Sequence, residues 1–167
     1  MREPAYQVEV QPDDTPDEAS VRFWEKQRER SLHGTVVIKG DESPWQKSKM
    51  GVSKCYLSPY AYPDTPVQTF YVFEQKQYTH SGKHIHQGGV VLFVLEGRGH
   101  TVIDGVRHDW EAGDLIILPI QPGGVEHQQF NDDPEKPCRL VAFLYQPAFM
   151  ELGNYYTQTG KPGAMKL

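Results

Sequence analysis

The chain has 167 residues, and 17 Lys+Arg against 22 Asp+Glu give a formal charge of −5. That acidic balance argues against phosphate-backbone binding, because nucleic-acid binders present a net basic face. The longest apolar run, residues 90–95, is far shorter than the ~20 residues needed to cross a bilayer. The opening residues contain no apolar stretch of the kind a secretory signal carries, so a cytoplasmic chain is expected. Cys55 and Cys138 form no CxxC pair and are expected to be reduced thiols. The 15 Gly and 13 Pro residues indicate many turns between short strands.

Residues 1–14 are polar and rich in Pro and Asp, and read as a loose arm. Thr15-Pro16-Asp17-Glu18 then forms a capping box with proline at the first helical position. The spacing predicts a helix over residues 16–30 whose narrow apolar stripe (Val21, Phe23, Trp24) docks on the outside of a larger body. From residue 35 onward the pattern becomes strand-like. Residues 35–38, 69–73, 90–95, 101–103, 115–118 and 139–145 are short runs of β-branched, aromatic and aliphatic side chains. Asp104-Gly105 is a hairpin turn, since a type I′ turn needs positive φ at both central positions. Many short strands at this spacing predict a sandwich or barrel. The expected divisions are an arm and docking helix (residues 1–34), a barrel (35–146) and a C-terminal extension (147–167) that packs back through Phe149, Leu152, Tyr155 and Tyr156 before fraying.

Of the seven histidines, His33, His80, His100 and His108 fit ordinary surface or hydrogen-bonded roles. His84 and His86 are two apart, so in a strand both imidazoles point to one face and can meet one metal ion. Gly82-Lys83-His84-Ile85-His86, then Val94-Leu95-Glu96-Gly97, then Gly113 with Pro119, then His127 with Asn131, resemble the two signature motifs of the cupin superfamily. The resemblance spans residues 82–131. It implies an all-β fold, a small antiparallel jelly-roll barrel, with a metal site in its mouth held by His84, His86 and His127. Two departures stand out. The family's glutamate falls at Val90 or Val91, and the turn over residues 120–126 is longer than usual. Three neutral imidazoles leave the full +2 charge on a divalent ion with three open positions. Such an ion suits a bidentate, oxygen-rich anion together with O2. Locally the stretch from His84 to Gly105 resembles gentisate- and salicylate-type dioxygenases with three-histidine iron sites.

Around that site, alternation places Gln129 on the face of His127. It also places Val90, Leu92 and Val94 on the face of His84 and His86 as an apolar wall for substrate, unless a bulge at Gln87-Gly88-Gly89 reverses the parity. Arg139, Val141, Phe143 and Tyr145 share a face of the last strand, which makes Arg139 and Tyr145 candidate anchors for a substrate carboxylate or hydroxyl. Gln87 is a candidate fourth ligand or donor to an imidazole, with an exposed loop amide as the alternative. The leading expectation is a non-haem Fe(II) dioxygenase, with Mn, Ni or Zn as other ions the donor set takes. Its partners would be a small oxygenated substrate and O2, with no nucleic acid and no membrane. A homodimer is expected because arms of this kind cover the open sheet edge of a partner. The alternatives are a Lewis-acid lyase or isomerase with Tyr71, Tyr145 or Glu126 as base, and a non-catalytic small-molecule-binding barrel.

Overall fold

Helix α1 (Pro16–His33) opens with the expected capping box. Thr15 Oγ1 accepts the Glu18 N–H at 3.3 Å, and the Glu18 carboxylate accepts the Thr15 N–H at 2.8 Å. The computed structural model describes residues 12–153 and 156–167, so most of the expected arm, and Tyr155, lie outside the described residues. The helix runs past Arg30 to Gly34, whose N–H closes on the Arg30 carbonyl at 2.8 Å. None of its residues is fully buried: of the expected stripe Val21 and Trp24 are exposed and Phe23 is half-buried. Its C-terminal end is tethered by Thr35, which bonds the Asp64 carbonyl at 3.2 Å and the Asp64 carboxylate at 2.8 Å. Residues 35–38 form no strand. Val36 and Val37 are exposed and no neighbouring strand pairs with them, so β-propensity alone has nothing to join.

Two antiparallel sheets make the barrel. One holds, in spatial order, β1 (Gln46–Ser48), β2 (Gly51–Leu57), β3 (Phe70–Gln77), β10 (Cys138–Tyr145), β5 (Val90–Glu96) and β8 (Leu115–Leu118). The other holds β11 (Thr157–Gly160), β4 (Lys83–His86), β9 (Val125–Asn131), β6 (Arg98–Ile103) and β7 (Val106–Glu111). The β6–β7 turn is the expected one, with Asp104 at φ 47° and Gly105 at φ 83°. The β1–β2 hairpin, the short helix α2 (Gln146–Glu151) and the edge strand β11 were not foreseen. The tail beyond β11 is anchored as far as Ala164: Gly163 N–H bonds the His80 carbonyl at 3.0 Å and Ala164 N–H bonds Thr79 Oγ1 at 3.1 Å.

The two sheets bring different chemistry inward. From the larger sheet, Val90, Leu92, Val94, Ile116, Leu118, Cys138, Leu140 and Ala142 form the apolar core, closed by Trp110 and Phe149. From the smaller sheet come His84, His86, Thr101, His127 and Gln129, all buried. Two of these polar groups pair inside the barrel: Trp110 Nε1–H bonds Thr101 Oγ1 at 3.0 Å and Ser81 Oγ–H bonds Gln129 Oε1 at 2.8 Å. The chain crosses between the sheets at Gly88 and Gly89, at φ 85° and 69°. No parity is lost there, because both the histidines before the bend and Val90, Leu92 and Val94 after it point inward.

Gly88 has two reasons to be glycine. Its φ is positive, and a Cβ would collide with the Pro119 carbonyl oxygen. Gly88→Ala is expected to destabilise the protein by about 3 kcal/mol, combining left-handed strain with overpacking. Urea denaturation checks this, with Gly105→Ala as the comparison: its Cβ would meet nothing within 4 Å, so only the strain of about 1–2 kcal/mol remains.

Candidate metal centre

β4 and β9 pair antiparallel with His84 directly opposite His127, and His86 lies two residues further on the same face. The three rings therefore converge. Their centroids lie 4.1 Å (His84–His127), 4.7 Å (His86–His127) and 5.2 Å (His84–His86) apart. Each offers one ring nitrogen, and the three nitrogens lie within 4.8 Å of one another. The His84 Nδ1 is 3.0 Å from the Gly82 carbonyl and the His127 Nδ1 is 3.1 Å from the Val125 carbonyl. Each carbonyl accepts the Nδ1 proton, which leaves the Nε2 lone pair bare. His86 is set the other way, its Nδ1 accepting the Gly88 N–H at 3.1 Å. Ligation through its Nε2 would shift a proton and loosen that contact, which couples the site to the Gly88–Gly89 bend.

Burial keeps the cluster uncharged. His84 is pushed down mainly by loss of solvent, His86 to about 4 by burial and the neighbouring His84, and His127 to about 2 by burial and both neighbours. Three neutral, converging imidazoles with no carboxylate among them suit a borderline divalent ion. Of the two positions where the family's glutamate falls, Val90 is buried in the apolar core and Val91 points outward.

His84 and His86 open into a cavity of about 430 Å³. Its walls come from Tyr71 and Phe73 on β3, Leu144 on β10, Phe149 on α2, and Met50 and Tyr156, with polar groups from Ser48, Lys49, Ser53 and Gln146. The Tyr156 ring lies 5.0 Å from that of His84, and its hydroxyl bonds Met50 Sδ at 3.0 Å. Gln158 Nε2–H donates to the Lys49 carbonyl at 3.0 Å, pinning the C-terminal segment to the β1–β2 turn. Tyr71 makes no hydrogen bond among the described residues, and burial pushes its phenol up to about 12, so it enters the cavity as a donor.

Several expected roles are redistributed. Val90, Leu92 and Val94 face inward as alternation requires, yet they fill the core rather than wall the cavity. Arg139 and Tyr145 do share a face, but it is the outer one. Arg139 is held by Glu74 at 2.6 Å and Glu96 at 2.5 Å, and Tyr145 packs edge-on against Phe70. Gln129 is buried beside the cluster with its amide oxygen committed to Ser81. Gln87 is buried rather than exposed, and its amide nitrogen donates to the Gly153 carbonyl at 3.3 Å. Glu126 pairs with Lys83 at 2.5 Å near the surface. Asn131 has a structural duty, its amide bonding the carbonyls of Tyr78, Asp133 and Lys136. Among the other histidines, His100 stacks on Phe130 and bonds Asp132 at 2.9 Å. The grouping of His100 with Asp109 and Asp132 already holds a cation, the Arg107 guanidinium, at 2.7 Å and 2.9 Å from the two carboxylates.

The cupin domain profile matches residues 70–144. A 5-aminosalicylate 1,2-dioxygenase from Comamonas is 29% identical over 85 residues, half of this chain and 21% of that one. An acireductone dioxygenase from Phaeosphaeria nodorum is 26% identical over 88 residues, half of this chain and 49% of that one. The chain thus spans half or less of the length of these relatives. The fold superposes on a salicylate 1,2-dioxygenase from Pseudaminobacter salicylatoxidans with a TM-score of 0.54 at 20% identity, over 82% of this chain and 37% of that one.

Histidines that refuse protons make the metal-free fold sensitive to acid. Unfolded, they titrate near 6.5, whereas in the fold His86 does so at about 4 and His127 at about 2. The unfolded state therefore binds protons first, so stability is full above 6.5 and declines as pH falls below it. Each such histidine contributes a slope of about 1.4 kcal/mol per pH unit, and the share from His86 ends near its folded value. Urea unfolding of chelator-treated protein between pH 8 and pH 5 measures this, and a flat profile contradicts it.

Proposed function

We propose that this chain, which belongs to the cupin superfamily, is a non-haem Fe(II) dioxygenase acting on a small bidentate oxygenated substrate, aromatic or diketone-like. The observation that carries this reading is an all-imidazole donor set opening into a largely apolar cavity. In this reading His84, His86 and His127 hold the ion. When bound, such an ion would supply a +2 Lewis-acidic centre with redox capacity, suited to an oxygen-rich anion.

The chain's own residues do the rest. Phe73, Leu144 and Phe149 exclude water and pack the substrate's ring or chain, at about 25 cal/mol per Å² of apolar surface buried. About 430 Å³ accommodates a single-ring molecule. Tyr71 keeps its proton at neutral pH and donates it as a hydrogen bond to an anionic substrate oxygen. Tyr156 lies over His84 and, tied to Met50, shields the cluster from the solvent side. The distant dioxygenase relatives support the same class of chemistry. The lyase alternative is poorly served: Glu126 and Tyr145 face away from the cavity, and the Tyr71 phenol stays protonated at neutral pH, so no phenolate is at hand to act as a base.

Reconstitution with Fe(II), Mn, Ni or Zn, followed by O2 uptake against catechols, hydroxybenzoates and diketones, tests the reading. One metal ion per chain is expected, with His127→Ala lowering metal content at least tenfold. Turnover should require O2, and methylating one chelating hydroxyl of the substrate should abolish it. Anaerobic turnover at the aerobic rate would instead favour the lyase. Tyr71→Phe should leave metal content unchanged while lowering kcat/KM about 10–100-fold, the worth of a hydrogen bond to a charged oxygen.

A further inference from the structure

Three adjacent strands of the larger sheet are apolar at nearly every position rather than at every second one. They read VVLFVL on β5, LIIL on β8 and LVAFLY on β10. An antiparallel strand with one face in water alternates, and continuous apolar runs belong to strands covered on both faces. Here the inner positions fill the core. The outer ones, Val91, Phe93, Leu95, Leu115, Ile117, Phe143 and Tyr145, remain 37–66% exposed. The register makes them one surface. Phe143 lies beside Val91 and Val91 beside Ile117, while Val141 lies beside Phe93 and Phe93 beside Leu115.

We propose that this outer face is the interface between two copies of the chain. With apolar side chains of roughly 150–200 Å² each, these exposures present roughly 550 Å² of contiguous apolar surface, at the upper end of the roughly 300–600 Å² that a monomer's largest patch covers, a size that is often functional. A standard interface takes about 800 Å² from each partner, about 500 Å² of it apolar in a homodimer, so the patch matches one half of such a contact. Its charges also favour a second copy. The seven side chains are uncharged, which lets chains of net charge −5 meet without like charges in the contact. The row at its end, Glu74–Arg139–Glu96, carries both signs. A two-fold axis sets one patch against its own copy, as sheet-on-sheet packing allows.

Sedimentation velocity of the full chain at micromolar concentration tests the proposal. The expected mass is twice 19.1 kDa. Phe93→Arg and Ile117→Arg should each raise the dimer dissociation constant at least 100-fold with an unchanged circular dichroism spectrum. Val36→Arg, exposed outside either sheet, should leave the dimer intact. A single-chain wild type overturns the proposal. So does a dimer that survives both arginine variants. If those variants fail to fold, Ile117→Cys provides a milder readout. Burial pushes the native Cys55 and Cys138 thiols up to about 11 and about 12, so their background alkylation is slow. Maleimide labelling of the new cysteine should slow at least tenfold between nanomolar and micromolar protein, and a rate independent of concentration counts against the interface.

Discussion

His84 meets His127 because two short strands pair in one register, and the rest of the centre depends on that pairing. Side chains alternate along a strand, so a slip of one residue would turn His127 to the outside while His84 stayed within. The register is held from both flanks. β11 pairs with β4, setting Gln158 beside His84, and β6 pairs with β9, setting Ile103 beside His127. Polar clamps add to this: Asp104 N–H bonds the Glu126 carbonyl and Asp104 Oδ1 accepts the Glu126 N–H, each at 2.8 Å. The ion pair between Lys83 and Glu126 links the two central strands directly.

That arrangement divides the labour between the sheets. The larger one supplies the apolar half of the interior and much of the stability, since burial of Leu, Val and Ile side chains is worth about 1.5–3 kcal/mol each. The smaller one turns a polar face inward, which is tolerable only because its groups find partners. Ser81, Gln129, Thr101 and the Trp110 indole form such pairs. The same exclusion of water that favours the core keeps the imidazoles neutral. One physical effect therefore serves folding and ligand chemistry together.

The parts legible in the amino-acid sequence were those where hydrophobic pattern or turn chemistry has no competitor. The capping box at Thr15, the Asp104-Gly105 hairpin and the strands of the apolar core belong here, and so does the histidine trio. Edge strands were not legible. Gln46–Ser48 is a short polar edge strand and Thr157–Gly160 has no apolar pattern, because both are held by backbone pairing rather than burial. Arg139 and Tyr145 show a different limit. Alternation tells which residues share a face, but β10 is apolar on both, so nothing local says which face is inner. The cavity walls were hidden for a third reason. Tyr71, Phe73, Leu144, Phe149 and Tyr156 come from separate segments that only the sheet order brings together.

The pairing of β11 with β4 has a consequence for how the protein is made. His84 and His86 are synthesised well before His127, and Gln158, the residue that flanks His84 on its open edge, comes later still. Contacts between segments so distant along the chain close slowly, and chains dominated by them fold in milliseconds to seconds rather than microseconds. On the ribosome, chain grows at about 5–20 residues per second, so the two early histidines wait several seconds for the rest of their site. During that interval β4 is a short strand with both edges unpaired, a template for wrong partners. Assembly of the centre is therefore among the last events in biogenesis, and a translational pause after His86 would prolong the vulnerable stage more than one elsewhere.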